Sequence, residues 1–303
     1  MNELRIVLSD YTFQTVAVGA ALLGILNGVL GTFLVLRRQS LLGDGVSHAA
    51  LPGVVAAFLL TGSRQTEVLL LGALLSGLLA TYSIYGVHRN SRIRFDSALA
   101  LVMSVFFGLG MVLLTYAQKR PDATQAGIKR FIYGQASTLI ARDIKLLSVA
   151  AGILILWVIL FWKEFKVLSF DEPFAQTLGF PTGRLGILLS LATVVAIILG
   201  LQTVGVVLMS AMLITPAVAA RQWSDHLAVV AGLSALFGAV SGVGGTLISS
   251  LVPGMPTGPV IVLCVSILAL FSLLFAPRRG ILARAIHRRK GQRQLMDAKE
   301  GRS

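Results

Sequence analysis

Apolar residues run along the chain in long stretches broken by short polar interruptions. They do not alternate every second residue, as strands of an outer-membrane barrel would. Most of the stretches are long enough to cross a bilayer as an α-helix. The pattern predicts spans near 11–36, 45–62, 68–87, 97–117, 146–162, 185–200, 203–220, 227–250 and 259–276. The fifth to seventh are short, so merged or broken spans bring the expected number to eight or nine. The expected fold class is all-α, a polytopic transmembrane helix bundle. A segment over 1–10 precedes the embedded body at 11–276, and a tail follows over 277–303.

Composition supports this reading. Of the 303 residues, 55% are hydrophobic and 13% charged, about half the charged share of an ordinary soluble domain. The mean hydropathy is +0.83. Such a chain lacks the polar surface to cover itself in water, which excludes a soluble globular enzyme and a disordered protein. The single cysteine, Cys264, excludes an internal disulfide. Met1–Asp10 carries Glu3, Arg5 and Asp10 and has neither a basic region nor a cleavage site, so no signal peptide is expected there.

The net charge of +13 is a topology marker rather than a sign of nucleic acid. Residues 277–303 hold nine basic residues against Asp297 and Glu300, over half of the excess. Arg37 and Arg38 follow the first span, and Arg89, Arg92 and Arg94 follow the third. Lys and Arg concentrate in short loops on the cytoplasmic side. The N-terminus is therefore expected outside and the basic tail in the cytoplasm, in a plasma or inner membrane. One loop runs against the rule. Residues 118–145 carry Lys119, Arg120, Lys129, Arg130, Arg142 and Lys145 against Asp122 and Asp143, yet fall outside. Within it, Phe131–Ile140 is semi-apolar and too short to span, as a re-entrant or interfacial helix would be.

Many of the 31 glycines sit inside spans, with four-residue spacing at Gly24/Gly28 and Gly238/Gly242. Small residues let helix backbones approach where lipid supplies no hydrophobic drive between helices, so helix packing is the expected role. Pro52, Pro216, Pro253, Pro256 and Pro259 mark candidate kinks. Such kinks are tolerated where the freed backbone groups face protein or water.

Three segments carry candidate chemistry. In Gly43-Asp44-Gly45-Val46-Ser47-His48-Ala49, at the mouth of the second span, Asp44 and His48 stand four residues apart and share a helix face. Carboxylate plus imidazole suits a divalent first-row metal such as Mn²⁺, Fe²⁺ or Zn²⁺. Two ligands hold an ion weakly, as a path requires. Alternatively Asp44 caps the helix and His48 is satisfied within the bundle. Next, Asp171-Glu172-Pro173-Phe174-Ala175-Gln176-Thr177-Leu178-Gly179 reads as a two-turn helix in a cytoplasmic loop. Asp171 caps it, Glu172 and Pro173 form its first turn, and Gly179 ends it. Phe174, Ala175 and Leu178 are expected on one face, which either lies on the membrane or docks in a partner's groove. Third, Val204–Arg221 contains Met209 and Met212, soft ligands in principle but packing filler in most membrane helices. The chain has no Walker A loop and no HExxH, CxxC or GxSxG motif. It therefore offers no catalytic residue, cofactor-binding motif or means of hydrolysing ATP by itself.

Taken in order, Arg37–Ala49, Asp171–Gly179 and Val204–Arg221 resemble the membrane permease of ABC-type importers for manganese, zinc or iron. The resemblance runs over roughly 10–280. It implies a permease of the type II ABC importer kind that forms the translocation path by alternating access, as a homodimer or a pair of related permeases. Cytoplasmic ATPase subunits drive it and an extracytoplasmic metal-binding protein delivers the ion, with no resident cofactor. It maps the metal path to Asp44 and His48. It maps the ATPase-coupling helix to 171–178, with Asp171, Glu172, Phe174, Ala175, Leu178 and Gly179 as its coupling residues. A siderophore or cobalamin permease and a proton-coupled secondary metal transporter are the alternatives.

Overall fold

The computed structural model describes residues 7–63, 65–119, 141–252 and 254–282. The semi-apolar stretch Phe131–Ile140 and most of the basic tail lie outside these. Among the described residues the chain is helical throughout. Helix α1 is Tyr11–Leu36, α2 Leu42–Thr61, α3 Thr66–Asn90 and α4 Phe95–Gln118. Helix α5 is Ala141–Leu160, α6 Trp162–Phe170 and α7 Glu172–Thr177. Helix α8 is Thr182–Val204, α9 Val206–Arg221, α10 Leu227–Leu251 and α11 Thr257–Phe275. Eight of them are long and apolar enough to cross a membrane, and α9 is shorter.

Helix α1 forms the centre. Asp10 caps it, accepting from the Thr12 amide at 3.3 Å. Leu23, Leu26, Leu30, Phe33 and Leu34 are fully buried, as expected of a helix apolar on all sides. Helix α10 runs antiparallel along α1 with the backbones in contact. A Cβ on Gly24 would strike the Gly238 carbonyl, and one on Gly28 would lie 2.5 Å from the Ser234 oxygen. Ser234 Oγ donates to the Gly28 carbonyl at 2.8 Å across the same seam. The glycines spaced at four residues are therefore packing residues. Helix α3 meets α2 in the same way, through Gly53 against Gly72, and Ser76 Oγ donates to the Ala49 carbonyl at 2.6 Å.

The helix ends sort into two groups. Arg37 and Arg38 lie at one end, and the return of the chain through α2 and α3 brings Arg89 and Arg94 back to it. The Arg142–Glu67 ion pair, at 2.7 Å, puts the start of α5 beside the start of α3, at the opposite end. The flanks of the positive loop thus lie away from Arg37. The chain crosses back through α5, and α6 packs its aromatic rings on Phe33.

The sixth and seventh expected spans form a broken pair. Gly205, at φ 86° and ψ 167°, separates α8 from α9 in a conformation that favours glycine. Helix α8 starts beside Arg37, where Gly186 faces the guanidinium. Helix α9 starts level with the middle of α1, with Met209 beside Asn27 and Gly200. It then returns toward the Arg37 end, where Arg221 and Leu36 border the same small cavity. At that end Asp225, between α9 and α10, pairs with Arg278 at 3.2 Å and more closely with Arg279, just beyond α11.

Candidate metal path and coupling helix

Helix α2 begins at Leu42 with Leu41 at its cap, so Asp44 lies inside the first turn and is not the cap. Three sides of this turn are closed by packing. Gly43 faces Leu213 and Ser210 of α9, Gly45 faces Leu99 of α4, and Val46 is fully buried toward Gly77 of α3. Asp44 and His48 occupy the remaining side. Their side chains are 39% and 26% exposed, with Asp44 Oδ1 3.5 Å from His48 Nε2. The His48 ring meets Phe107 of α4 edge-on, with centroids 5.1 Å apart. Ser47, between them, turns inward and donates to the Gly43 carbonyl at 2.7 Å.

Pro52 adds a feature to this side. It lies within α2, four residues after His48. Proline has no N–H to give to the carbonyl four residues back. The His48 carbonyl therefore lacks its usual helical donor next to the carboxylate–imidazole pair. Among the described residues no three His, Cys, Asp or Glu side chains converge, so one chain supplies two side-chain ligands at this point.

The Met209 and Met212 side chains are fully buried. Met209 fills the space beside Gly200 and receives Asn27 Nδ2 at 4.0 Å. Met212 joins Ala20, Ile261 and Val265 in a small apolar cluster. Both act as packing.

The second site, α7, is one short helix with a strong cap. Asp171 Oδ1 accepts from the Phe174 amide at 3.0 Å, and Pro173 stands in the first turn. Gly179, at φ 82°, ends it, and the Phe180 amide reaches back to the Ala175 carbonyl at 3.1 Å. Phe174 and Leu178 are about half exposed, whereas Ala175 is buried. The expected common face of the three therefore divides. Phe174 and Leu178 point outward together, one turn apart, and Ala175 turns inward as the contact that seats α7 on the bundle.

The structure adds one residue that sequence reasoning treated only as a marker of sidedness. The Arg37 side chain is 7% exposed, and its Nη2 lies 3.8 Å from Glu172 Oε2. It thus links the end of α1 to the first turn of α7. The turn that aims it is tight: Arg38 has φ 57°, and the Gln39 amide returns to the Leu34 carbonyl at 2.9 Å, a helix ending for which glycine is usual. The arginine pair before the polar motif was the available signal. Its burial was not.

A helical bundle with eight potential spans, a part-exposed Asp–His pair on one of them and a short helix with an exposed apolar pair at one end has the build of a multi-pass membrane protein. The chain belongs to the ABC 3 transport family, whose match covers residues 9–276. It is therefore a permease, the transport component of an ABC system rather than an enzyme. It is 49% identical over 290 residues to the zinc transport system membrane protein TroC of Treponema pallidum, covering 96% of this chain and 97% of that one. It is 48% identical over 273 residues to the manganese transport system membrane protein MntC of Bacillus subtilis, covering 90% of this chain and 63% of that protein. Among solved structures it resembles PsaBC from Streptococcus pneumoniae in complex with Fab, with a TM-score of 0.78 at 31% identity, over 89% of this chain and 94% of that one.

Proposed function

We propose that this permease carries divalent first-row metal ions, Mn²⁺ or Zn²⁺ foremost and Fe²⁺ as a third candidate, along the face of α2 that bears Asp44 and His48. The carrying observation is that pair: two ligand types within 3.5 Å, exposed on a spanning helix whose other sides are closed. An acid and an imidazole in a span mark a pathway or a partner. The similarity to proteins named for zinc and manganese transport supports the cargo. Two ligands per chain leave a cation under-coordinated, which favours a second permease, identical or related, facing the first across the path. Alternating access then brings the ligands together and separates them. The wide path of a siderophore or cobalamin carrier has no need of this pair, and membership of an ABC family speaks against a proton-coupled secondary carrier.

The Arg37 end, with its arginines, faces the cytoplasm by the positive-inside rule, and the N-terminus lies outside. On that reading α7 meets cytoplasmic ATPase subunits through Phe174 and Leu178. Asp171 and Gly179 hold the helix ends, and Glu172 passes the motion to Arg37. An extracytoplasmic metal-binding protein delivers the ion at the other end.

The test is radiometal uptake by cells carrying the permease with its ATPase. Asp44→Asn and His48→Ala should each lower uptake about tenfold or more at unchanged membrane abundance, on the scale of one polar contact to a charged ion lost. Unchanged uptake in both variants would remove the pathway role. Phe174→Asp with Leu178→Asp should release the ATPase on purification and leave the permease in the membrane.

A further inference from the structure

At the Arg37 end a cavity of about 1250 Å³ opens between α3, α8 and the α1–α2 turn. Arg37, Arg38, Arg89, Arg94 and Arg184 line it, opposed by Asp96 and Glu172. The cavity is therefore a concentration of positive charge, with His88 beside it. Its deepest cation is incompletely satisfied: the side chain of Arg37 is 7% exposed, and its Nη1 is buried without a hydrogen-bond partner. A buried guanidinium donor left unpaired is costly, and the ion pair with Glu172 uses only the other terminal nitrogen. The cavity also has an apolar side. Leu78 and Tyr82 of α3 and Ile187 and Leu191 of α8 line it, and they lie farther into the spans than the arginines. Tyr82 and Ile187 are exposed on the bundle surface. Tyr85 Oη and Ser190 Oγ, 2.8 Å apart, tie the two walls together.

We propose that this cavity binds an anionic phospholipid, with the phosphate on the Arg37, Arg94 and Arg184 guanidiniums and the start of an acyl chain along Leu78, Ile187 and Leu191. Guanidinium forks suit phosphate oxygens, which they meet in pairs. Basic pockets between spans at the end of a bundle lie at headgroup depth. The apolar wall favours a lipid over an acidic protein surface, which would use the arginines and leave that wall bare. The inference is independent of the transported ion, since it needs only that α3 and α8 span.

The full-length permease, delipidated in detergent, is titrated with dioleoyl phosphatidylglycerol or dioleoyl phosphatidylcholine, and bound lipid is read by native mass spectrometry. The anionic phosphatidylglycerol should bind at least about tenfold tighter. Arg94→Gln with Arg184→Gln, both on the exposed rim, should weaken it by about tenfold and leave phosphatidylcholine binding unchanged. Arg37→Lys keeps the charge, loses the fork and should weaken it less. Circular dichroism and gel filtration check that each variant is folded. Equal binding of the two lipids, or full retention of phosphatidylglycerol by the double variant, overturns the proposal. Displacement by millimolar inorganic phosphate overturns it in favour of a small-anion site. Loss of the ATPase from the double variant, with lipid binding intact, overturns it in favour of a protein contact.

Discussion

The seam between α1 and α10 and the open side of α2 rest on the same residue type with opposite results. Along the seam, Gly24, Gly28, Gly238 and Gly242 bring two backbones together and leave no space. On α2, Gly43 and Gly45 let α9 and α4 close on two sides, and the side between them keeps Asp44 and His48 accessible. Glycine at the first place builds a rigid spine. At the second it lets neighbours crowd a helix so that a single polar strip stays open. Packing in a membrane rests on close approach rather than on hydrophobic drive. Which face remains free is therefore decided by where the small residues are.

The comparison can be broken most severely at the seam. Gly24→Leu places a branched side chain against the Gly238 backbone, which cannot rotate away. A loss of about 3 kcal/mol or more is expected, beyond ordinary overpacking, seen as failure to accumulate or a collapsed thermal transition in detergent. The Asp44 and His48 variants should do the reverse, sparing stability and lowering uptake about tenfold or more. A variant that lost both equally would show that the open side is structural after all. Pro52→Ala sharpens the same point. It restores an amide donor to the His48 carbonyl, and uptake should fall about threefold with no loss of thermal stability, an effect of less than 1 kcal/mol.

Smaller effects are expected where contacts are local or exposed. Asp171→Ala removes the cap of α7 at a cost of about 1 kcal/mol, so the ATPase should be retained about fivefold less well and the spans should be unaffected. The smallest effect is electrostatic. Partial desolvation pushes the Asp225 carboxyl up, but the Arg279 and Arg278 guanidiniums outweigh it and hold the group below its ordinary value. A lowered carboxylate stabilises the fold above the unfolded-state pKa of about 3.9. That contribution is lost only as pH falls through the lower folded value. Asp225→Asn should therefore leave stability at neutral pH nearly unchanged, because the cluster is exposed and screened. It should flatten a slight loss below about pH 4, read by thermal unfolding across pH.

Much of this was legible without coordinates. The apolar runs placed every long helix to within a few residues, because a span must satisfy its own backbone and so announces itself by length and composition. The Asp44–His48 spacing, the Asp171 cap and the Gly179 stop are local helix chemistry. They appear in the structure where the residues put them, save that α2 begins early enough to bring Asp44 inside its first turn.

Other features depended on partners distant in the chain. Ala175 turns inward because α7 must rest on something, and nothing within 171–179 says which side that is. The short seventh span is a half-length return because Gly205 breaks the chain and α1 receives Met209 at its middle. Arg37 looked like one more cytoplasmic charge until the turn at Arg38, the approach of Gly186 and the carboxylate of Glu172 enclosed it. By itself the sequence determined that this protein is a helical membrane bundle, and where its helices begin, end and carry charge, because those follow from hydrogen bonding and hydropathy within each segment. Tertiary structure alone decided which faces are buried. That depends on backbones approaching across more than two hundred residues of chain, as Gly24 and Gly238 do, and no local pattern encodes the distance between them.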